Sequence, residues 1–491
     1  MERDDALALL KPVRLFIEGV FDPADDGAST PVADPTRGVA LVDASAAGAA
    51  DVDRAARAAR RAFDGPWGAV DARDRGLLLR RVARLLRHES DAFAALEALA
   101  SGAPFRVARE FSVAQAAEAF DVAAAVAETS VDAAPQLRGD AACVVRRRPR
   151  GAAGVVVSDS DTLLELCWRL APALATGNSA VAVFPTASCL AAARLGALFE
   201  ECGFPRGAVQ LLPAATPVAA RALAEHSLID ALAIAGDAAD TLELRRRAAA
   251  RGTPCSAAVR RAVVHLVAGD AGDPREVARA TVAAFAGAAG RAPSRGAHVV
   301  VERSAADGLT ARLVEQANAL RHGCPFDRRT DAPPAPSVAA REAALDAVRR
   351  RVDGGARRVA GGEAVAVPGF EGGFHLRPTV LIAPDDGRAV APDDLPGPIA
   401  VVHVVDDDAR AVDVARKLGA WGLVVRCGDL RRALRLVDAV GAPTSWVDDG
   451  ERFDPAVPTG DAAALVAAGA GPAAVAFYTR PVATWVPRAA R

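Results

Sequence analysis

Thiols are the first side chains in this 491-residue chain that could carry out covalent chemistry. The cysteines are scattered and include no C-x-x-C pair; they occupy positions 143, 167, 189, 202, 255, 324 and 427. An odd, dispersed set of cysteines in a long chain predicts reduced thiols and a cytoplasmic protein. We expect most of them to serve as small buried hydrophobic side chains.

Histidine and the basic residues are the next candidates. The histidines have neither H-x-x-x-H nor a Cys/His ligand spacing, so no metal site is predicted; they occupy positions 88, 226, 265, 298, 322, 375 and 403. His265 and His298 begin predicted strands, where packing or a surface position is expected. Lys11 and Lys417 are the only lysines. The arginine cluster VVRRRPRG (144–151) is interpreted as a solvated or inter-subunit face, with a bound anion as the alternative.

Composition excludes several classes of protein. The net charge of −2 and the pI of about 6.4 argue against a general nucleic-acid binder. No uninterrupted apolar run reaches the ~18 residues that would predict a membrane span. The acidic start MERDD does not fit a signal peptide. We therefore expect no nucleic-acid partner and no membrane association.

Strands and helices alternate through most of the chain, and these elements must position any site. One helix is predicted at 51–63, two more within 73–100 and a further one at 107–128, followed by a strand at 144–149. Four apolar strands separated by helices follow, at 151–157, 179–184, 209–212 and 231–236. A second alternation begins near residue 258, with strands at 263–269 and 298–302. This pattern predicts parallel sheets with helices on both faces.

Several segments, in the same order, resemble the aldehyde dehydrogenase family. The most specific is LCWRLAPALATGNSAVAV (166–183), which contains W-[KR]-x-x-P-A-L-x-x-G-N; GGFHLRPTVL (372–381), LPGPIAVV (395–402) and AFYTRPVATWV (476–486) follow. The resemblance implies an α/β fold with three parts. These are a Rossmann-like cofactor-type domain (1–127 and 148–257, plus about 455–475), a catalytic-type α/β domain (258–454), and a small β oligomerisation arm (128–147 and 476–491).

The family's nucleophile and base do not carry over. Its members attack the aldehyde with a cysteine thiolate and pass a hydride from the thiohemiacetal to a nicotinamide. Pro293 falls on the cysteine of F-x-N-x-G-Q-x-C, and no cysteine occurs between Cys255 and Cys324. Ala258 falls on the glutamate of L-E-L-G-G-K-x-P, which the family uses as a general base. The resemblance therefore implies a divergent member that lacks both groups.

The oxyanion donor and the cofactor positions differ as well. Ser160, within SDSD, falls on the family's asparagine, and its flanking aspartates would oppose an oxyanion. The preferred interpretation of SDSDT is a set of caps for the following helix. Val183 and Thr186 fall on the ribose-binding lysine and on the glutamate of the same loop. The G-S-T-x-x-G turn reads GDAADT (236–241): Gly236 remains, Thr241 replaces the second glycine, and two aspartates bring negative charge to a phosphate site. Asp394 replaces the glutamate that binds the nicotinamide ribose. These positions are vestigial, so no cofactor is predicted.

Three functions remain open at this stage. The first is an inactive structural or regulatory subunit, in a homo-oligomer or in a hetero-oligomer with an active paralogue. The second is an NAD- or NADP-dependent oxidoreductase that oxidises an aldehyde to a carboxylic acid, with Cys255 as the nearest thiol. The third is a binding module in which arginines at 260, 261, 291 and 295 hold an anionic ligand in the emptied cleft.

Overall fold

Near-continuous apolar segments form the strands of this protein, as expected for sheets that helices cover on both faces. A computed structural model describes residues 1–137, 141–158, 161–259, 261–287, 294–384, 395–450, 452–457 and 471–487. The strands are β1 Leu15–Ile17, β2 Val20–Asp22, β3 Ser29–Asp34, β4 Val39–Ser45, β5 Ala141–Pro149, β6 Ala152–Val157, β7 Ser179–Pro185, β8 Val209–Ala214, β9 Ala231–Gly236, β10 Cys255–Val259, β11 Arg261–Val267, β12 Ser294–Glu302, β13 Arg357–Ala360, β14 Thr379–Ile382, β15 Ile399–Val405, β16 Gly422–Arg426, β17 Thr444–Val447 and β18 Thr479–Pro487.

Helices separate most of these strands. They are α1 Arg3–Leu7, α2 Ala49–Asp64, α3 Ala72–His88, α4 Ser90–Ser101, α5 Phe105–Val107, α6 Ala114–Thr129, α7 Thr162–Ala175, α8 Cys189–Glu201, α9 Pro217–Glu225, α10 Ala238–Ala250, α11 Pro274–Ala286, α12 Arg303–Ala319, α13 Val338–Asp353, α14 Asp408–Lys417, α15 Leu430–Val440 and α16 Pro472–Tyr478. In the part of the chain that the structure describes, no helix is long and apolar enough to cross a membrane.

The chain builds two large sheets. The first has the order β10-β9-β6-β7-β8-β1-β2; β10 to β8 run parallel, and β1 and β2 form an antiparallel edge. The second has the order β13-β14-β15-β12-β11-β16-β17, parallel except for β13. The predicted α/β class is therefore confirmed. The assignment of residue ranges to domains stays a prediction.

Gly177 and Asn178, which end the most specific family-like motif, each have a structural role. Gly177 has a φ of 89°, which glycine adopts without strain. The Asn178 side chain accepts hydrogen bonds from the backbone N–H groups of Arg150 and Gly151, each at 2.9 Å, and donates to the carbonyl of Tyr478 at 3.0 Å. One buried amide thus joins the start of β6, the end of α7 and the C-terminal segment.

A two-stranded antiparallel ribbon forms the arm. In it, β18 pairs with β5 from Thr479 opposite Pro149 to Pro487 opposite Ala141. The ribbon carries exposed apolar side chains, including Trp485, which is 64% exposed. The arginine cluster lies on β5, where Arg146, Arg147 and Arg148 are exposed. This exposure fits a solvated face and an inter-subunit face equally, so both interpretations of the cluster stay predictions.

The helices agree with the sequence more closely than one of the strands does. The two helices predicted within 73–100 are α3 and α4, which meet at Glu89, and the segment predicted as a helix over 107–128 contains a π-helical turn, Ala108–Val113. The strand predicted from residue 298 begins at Ser294. His265 and His298 lie inside strands and both are buried, so of the two expected roles packing is the one observed.

Candidate functional site

A cavity of about 320 Å³ opens at the carboxyl edge of the first sheet. The ends of β6, β7 and β8 and the first turns of α9 and α10 line it. Ligands of open parallel α/β sheets bind at this edge, because the connections there leave a crevice between neighbouring strands and helices. The cavity is thus the candidate cofactor-type site, and we call it the carboxyl-edge cavity.

The described cofactor positions lie around this cavity. Val183 is a buried residue of β7 and forms part of the cavity wall. Thr186, also buried, begins the 3-10 turn that follows β7. Gly236 ends β9, and Thr241 is buried in the first turn of α10. Asp394 lies outside the described residues.

The turn at the start of α10 is already capped by an anionic side chain. The Asp237 carboxylate accepts a hydrogen bond from the backbone N–H of Asp240 at 3.0 Å, and the Thr241 N–H bonds to the Asp237 carbonyl at 3.1 Å. Asp240 adds a second carboxylate, and it lines the cavity. A phosphate at this helix terminus would compete with one carboxylate and be repelled by both.

Alternating charges link α9 and α10 beside the cavity. Arg221 contacts Glu243 at 2.9 Å, Glu243 contacts Arg247 at 2.8 Å, and Arg247 also pairs with Glu225. Hydrogen bonds from Arg221 and Arg247 hold the pKa of Glu243 below its usual value. The cation that lines this cavity is therefore already paired with a carboxylate. Together with the capped turn, this arrangement does not fit the pyrophosphate of a dinucleotide.

The catalytic positions are only partly described. Ala258 lies on β10 opposite Ala235 of β9, so an apolar pair occupies this part of the sheet. Pro293 and Ser160 lie outside the described residues. Residues 260 and 291 also lie outside the described residues, as do the side chains of residues 261 and 295. The arginine cluster proposed for the emptied cleft therefore stays a prediction.

Asp161 follows the SDS segment and acts as a helix cap. Its carboxylate accepts a hydrogen bond from the Leu164 N–H at 3.2 Å and a short one from the Ser112 hydroxyl. This is the capping role that the preferred interpretation of SDSDT expected for the residue.

Cys255, the alternative nucleophile, lies at the opposite end of the sheet. It begins β10 opposite Leu232, about 10 Å along the strand from Ala258 at the usual rise per residue. Burial raises the pKa of its thiol to about 12. A thiol of this kind is protonated at neutral pH and is a poor nucleophile. Burial also raises the pKa of Cys189 to about 12 and that of Cys202 to about 11.

The histidines make contacts that the sequence did not indicate. Nδ1 of His298 lies 3.2 Å from Nε2 of His403, and both side chains are buried between the second sheet and its helices. Burial lowers the pKa of His403 to about 4. Over the described residues, no group of three or more His, Cys, Asp or Glu side chains is placed to hold a metal ion.

Sequence reasoning missed two of these features. The ion pairs between α9 and α10 were indicated in the sequence only by the i, i+4 spacing of Glu243 and Arg247. The histidine pair had none, because its members are 105 residues apart in the sequence.

Comparison with known proteins agrees with the fold. Residues 21–481 match the aldehyde dehydrogenase family. The 2-hydroxymuconic semialdehyde dehydrogenase of Pseudomonas sp. (strain CF600) is 30% identical, over 89% of this chain and 92% of that protein. The mitochondrial 10-formyltetrahydrofolate dehydrogenase of Mus musculus is 28% identical over 91% of this chain, which spans about half (49%) of that protein.

Solved structures give the same result. PnpE from Pseudomonas sp. WBC-3 has a TM-score of 0.92 and 27% sequence identity, with 98% of this chain and 99% of that chain covered. The structure of PnpE in complex with nicotinamide adenine dinucleotide has a TM-score of 0.93, also at 27% identity, with 98% of each chain covered. This chain therefore belongs to the aldehyde dehydrogenase family.

Proposed function

We propose that this chain is a catalytically inactive member of the aldehyde dehydrogenase family that acts as a structural or regulatory subunit. The observation that carries the proposal is the missing nucleophile. No cysteine occurs between Cys255 and Cys324, and Pro293 falls on the family's cysteine. Loss of the nucleophile from a covalent mechanism lowers the rate by orders of magnitude.

The available thiol does not replace it. Cys255 lies at the amino end of β10, away from the carboxyl-edge cavity, and burial raises its pKa to about 12. Ala258 supplies no carboxylate for a general base. The covalent step and the hydrolytic step would therefore both lack their groups.

The carboxyl-edge cavity supports the same proposal. Its phosphate turn is capped by the Asp237 carboxylate, and Arg221, the cation in its described lining, is paired with Glu243. Val183 offers no charge for a ribose hydroxyl. We derive no catalytic step through a nicotinamide cofactor from these residues.

The arm supports a role in assembly. Val482, Trp485 and Val486 are exposed on β18, whose described partner strand is β5 alone. Exposed apolar strands at a sheet edge are surfaces on which another chain can add. The proposal assigns this ribbon to pairing with a second copy of the chain or with an active paralogue.

Family membership favours one alternative, an NAD- or NADP-dependent enzyme that oxidises an aldehyde to a carboxylic acid. Calorimetry with NAD⁺ and NADP⁺ on the purified chain distinguishes the inactive subunit from this active enzyme. We expect no heat of binding at millimolar cofactor and no reduction of either cofactor in the presence of a panel of aldehydes. Micromolar binding together with aldehyde-dependent reduction would establish the alternative.

The assembly role has its own test. Light scattering on size-exclusion fractions is expected to give an oligomer for the unmodified chain and a smaller species for Trp485→Lys. Leu430→Lys is the matched control, because Leu430 is 60% exposed on α15, outside the arm. A monomeric parent chain that captures no active paralogue, or a Trp485→Lys variant that assembles like the parent, would contradict the role.

A further inference from the structure

A second cavity, of about 360 Å³, lies beneath the N-terminal segment that joins α1 to β1. Among the described residues, nine apolar and three basic ones line it, and none of these is acidic. The described lining of the carboxyl-edge cavity, by contrast, includes two carboxylates and one arginine. We call the second cavity the N-terminal cavity.

Two helices form its apolar floor. Leu190, Ala193 and Ala197 lie on one face of α8 at spacings of three and four residues, and Leu96 of α4 packs beside them. Leu190 and Leu96 are almost fully buried, at 4% and 5% exposure. Phe21, which is 38% exposed, closes one side. These side chains offer dispersion contacts to an aliphatic chain and no hydrogen bonds.

Basic side chains also line this cavity. Lys11 and Arg14 are exposed, and within the described part of the chain neither has an ion-pair partner. The other lysine, Lys417, pairs with Asp413 at 2.9 Å. The third lining cation, Arg194, bonds to Glu89 at 2.8 Å and is neutralised. The two uncompensated positive charges therefore come from the segment that covers the cavity.

We propose that the N-terminal cavity binds an amphiphilic monocarboxylate, with its aliphatic chain on the α8 floor and its carboxylate between Lys11 and Arg14. The volume lies within the roughly 300–1,000 Å³ of small-molecule pockets. An apolar floor below two cations complements a ligand that has one apolar end and one anionic end. This site is separate from the carboxyl-edge cavity and does not rest on the proposed function.

Calorimetric titration of the full chain with decanoate, below its micelle-forming concentration, tests the proposal. We expect saturable binding of one decanoate per chain that weakens as salt is raised. Decanol, which keeps the chain but lacks the charge, is expected to bind at least about tenfold more weakly. Absent or non-saturable binding, or equal affinity for decanol, overturns the proposal.

Variants test which residues contact the carboxylate and which contact the aliphatic chain of the ligand. Lys11→Glu combined with Arg14→Glu is expected to weaken decanoate binding at least about tenfold through charge reversal, whereas Lys417→Glu leaves it unchanged. Ala197→Trp, at an exposed rim position of α8, fills the cavity and is expected to abolish binding. Ala249→Trp, an exposed position on α10, is its control.

These substitutions are at exposed positions, so the folded state is preserved and circular dichroism checks it. Unchanged decanoate affinity in the doubly reversed variant or in the Ala197→Trp variant overturns the site. Equal weakening by the control variants does so as well.

Discussion

The buried histidine pair predicts that this protein loses stability in mild acid. The rings of His298 and His403 lie 5.3 Å apart on adjacent strands β12 and β15, and both side chains are 4% exposed. Burial lowers the pKa of His403 from 6.5 to about 4. The unfolded chain regains the ordinary value, so below pH 6.5 the unfolded state binds a proton that the folded state excludes.

The size of the effect follows from this difference in pKa. One pKa unit corresponds to about 1.4 kcal/mol, so the ~2.5-unit depression amounts to roughly 3.4 kcal/mol once both states are protonated. Because the folded value is the lower one, the stability is intact above pH 7 and is lost as the pH falls from 6.5 to 4. Between pH 7 and pH 5 the loss from His403 is about 2 kcal/mol.

Urea unfolding at pH 7, 6 and 5 measures this loss. His403→Val removes the titrating group and matches the valines beside it on β15. We expect the free energy of unfolding of the unmodified chain to fall by about 2 kcal/mol more than that of His403→Val over this range. His88→Gln, at an exposed position on α3, is the control and should fall like the unmodified chain.

Other titrating groups do not obscure the comparison. Burial also lowers the pKa of His322 to about 4, but this residue is present in every variant and cancels. Hydrogen bonds from Arg329 lower the pKa of Asp327 to about 2, so that carboxylate titrates below the measured range. If His403→Val loses as much stability between pH 7 and pH 5 as the unmodified chain, the reasoning from burial is refuted.

Two further predictions follow from buried hydrogen bonds and thiols. Asn178→Ala leaves the Gly151 N–H without its acceptor and the Arg150 N–H with only the Tyr478 carbonyl at 3.3 Å, so we expect urea unfolding to show a loss of roughly 1–3 kcal/mol. An equal loss in Asn318→Ala, at an exposed position, would contradict this. Because its pKa is about 12, Cys255 should show no thiolate absorbance at 240 nm below pH 10; a Cys255-dependent rise near pH 8, absent from Cys255→Ser, would refute it.

The sequence was sufficient for the fold because the signal there is local and repeated. Apolar strands such as 179–184 and 231–236 are separated by helices, and this alternation alone predicts parallel sheets. It does not give the register between strands distant in the chain. The His298–His403 contact depends on β12 lying beside β15, and no local pattern encodes that neighbour.

The candidate site was predictable in composition but not in geometry. The sequence showed two aspartates in the turn 236–241, and their negative charge predicted that this turn would not bind a phosphate. That the Asp237 carboxylate caps α10 depends on its backbone conformation, which the structure supplies. The predictions for Ser160, Pro293 and Asp394 rest on the alignment alone and remain predictions.

Residues that hold the fold of this chain together are harder to replace than residues at the positions where the family has catalytic or cofactor-binding groups. Asn178 satisfies buried backbone groups from separate segments, so replacing it leaves the Gly151 N–H without an acceptor. Val183 is an apolar residue on a buried strand, where a lysine would have to be desolvated or reach a partner. Ala258 likewise needs no partner on β10, whereas a glutamate there would. Exchanging a buried charge for an apolar side chain thus removes a desolvation cost and leaves the sheet intact. A chain can therefore retain this architecture while its cleft loses the charged groups of a dehydrogenase, as the proposed function requires.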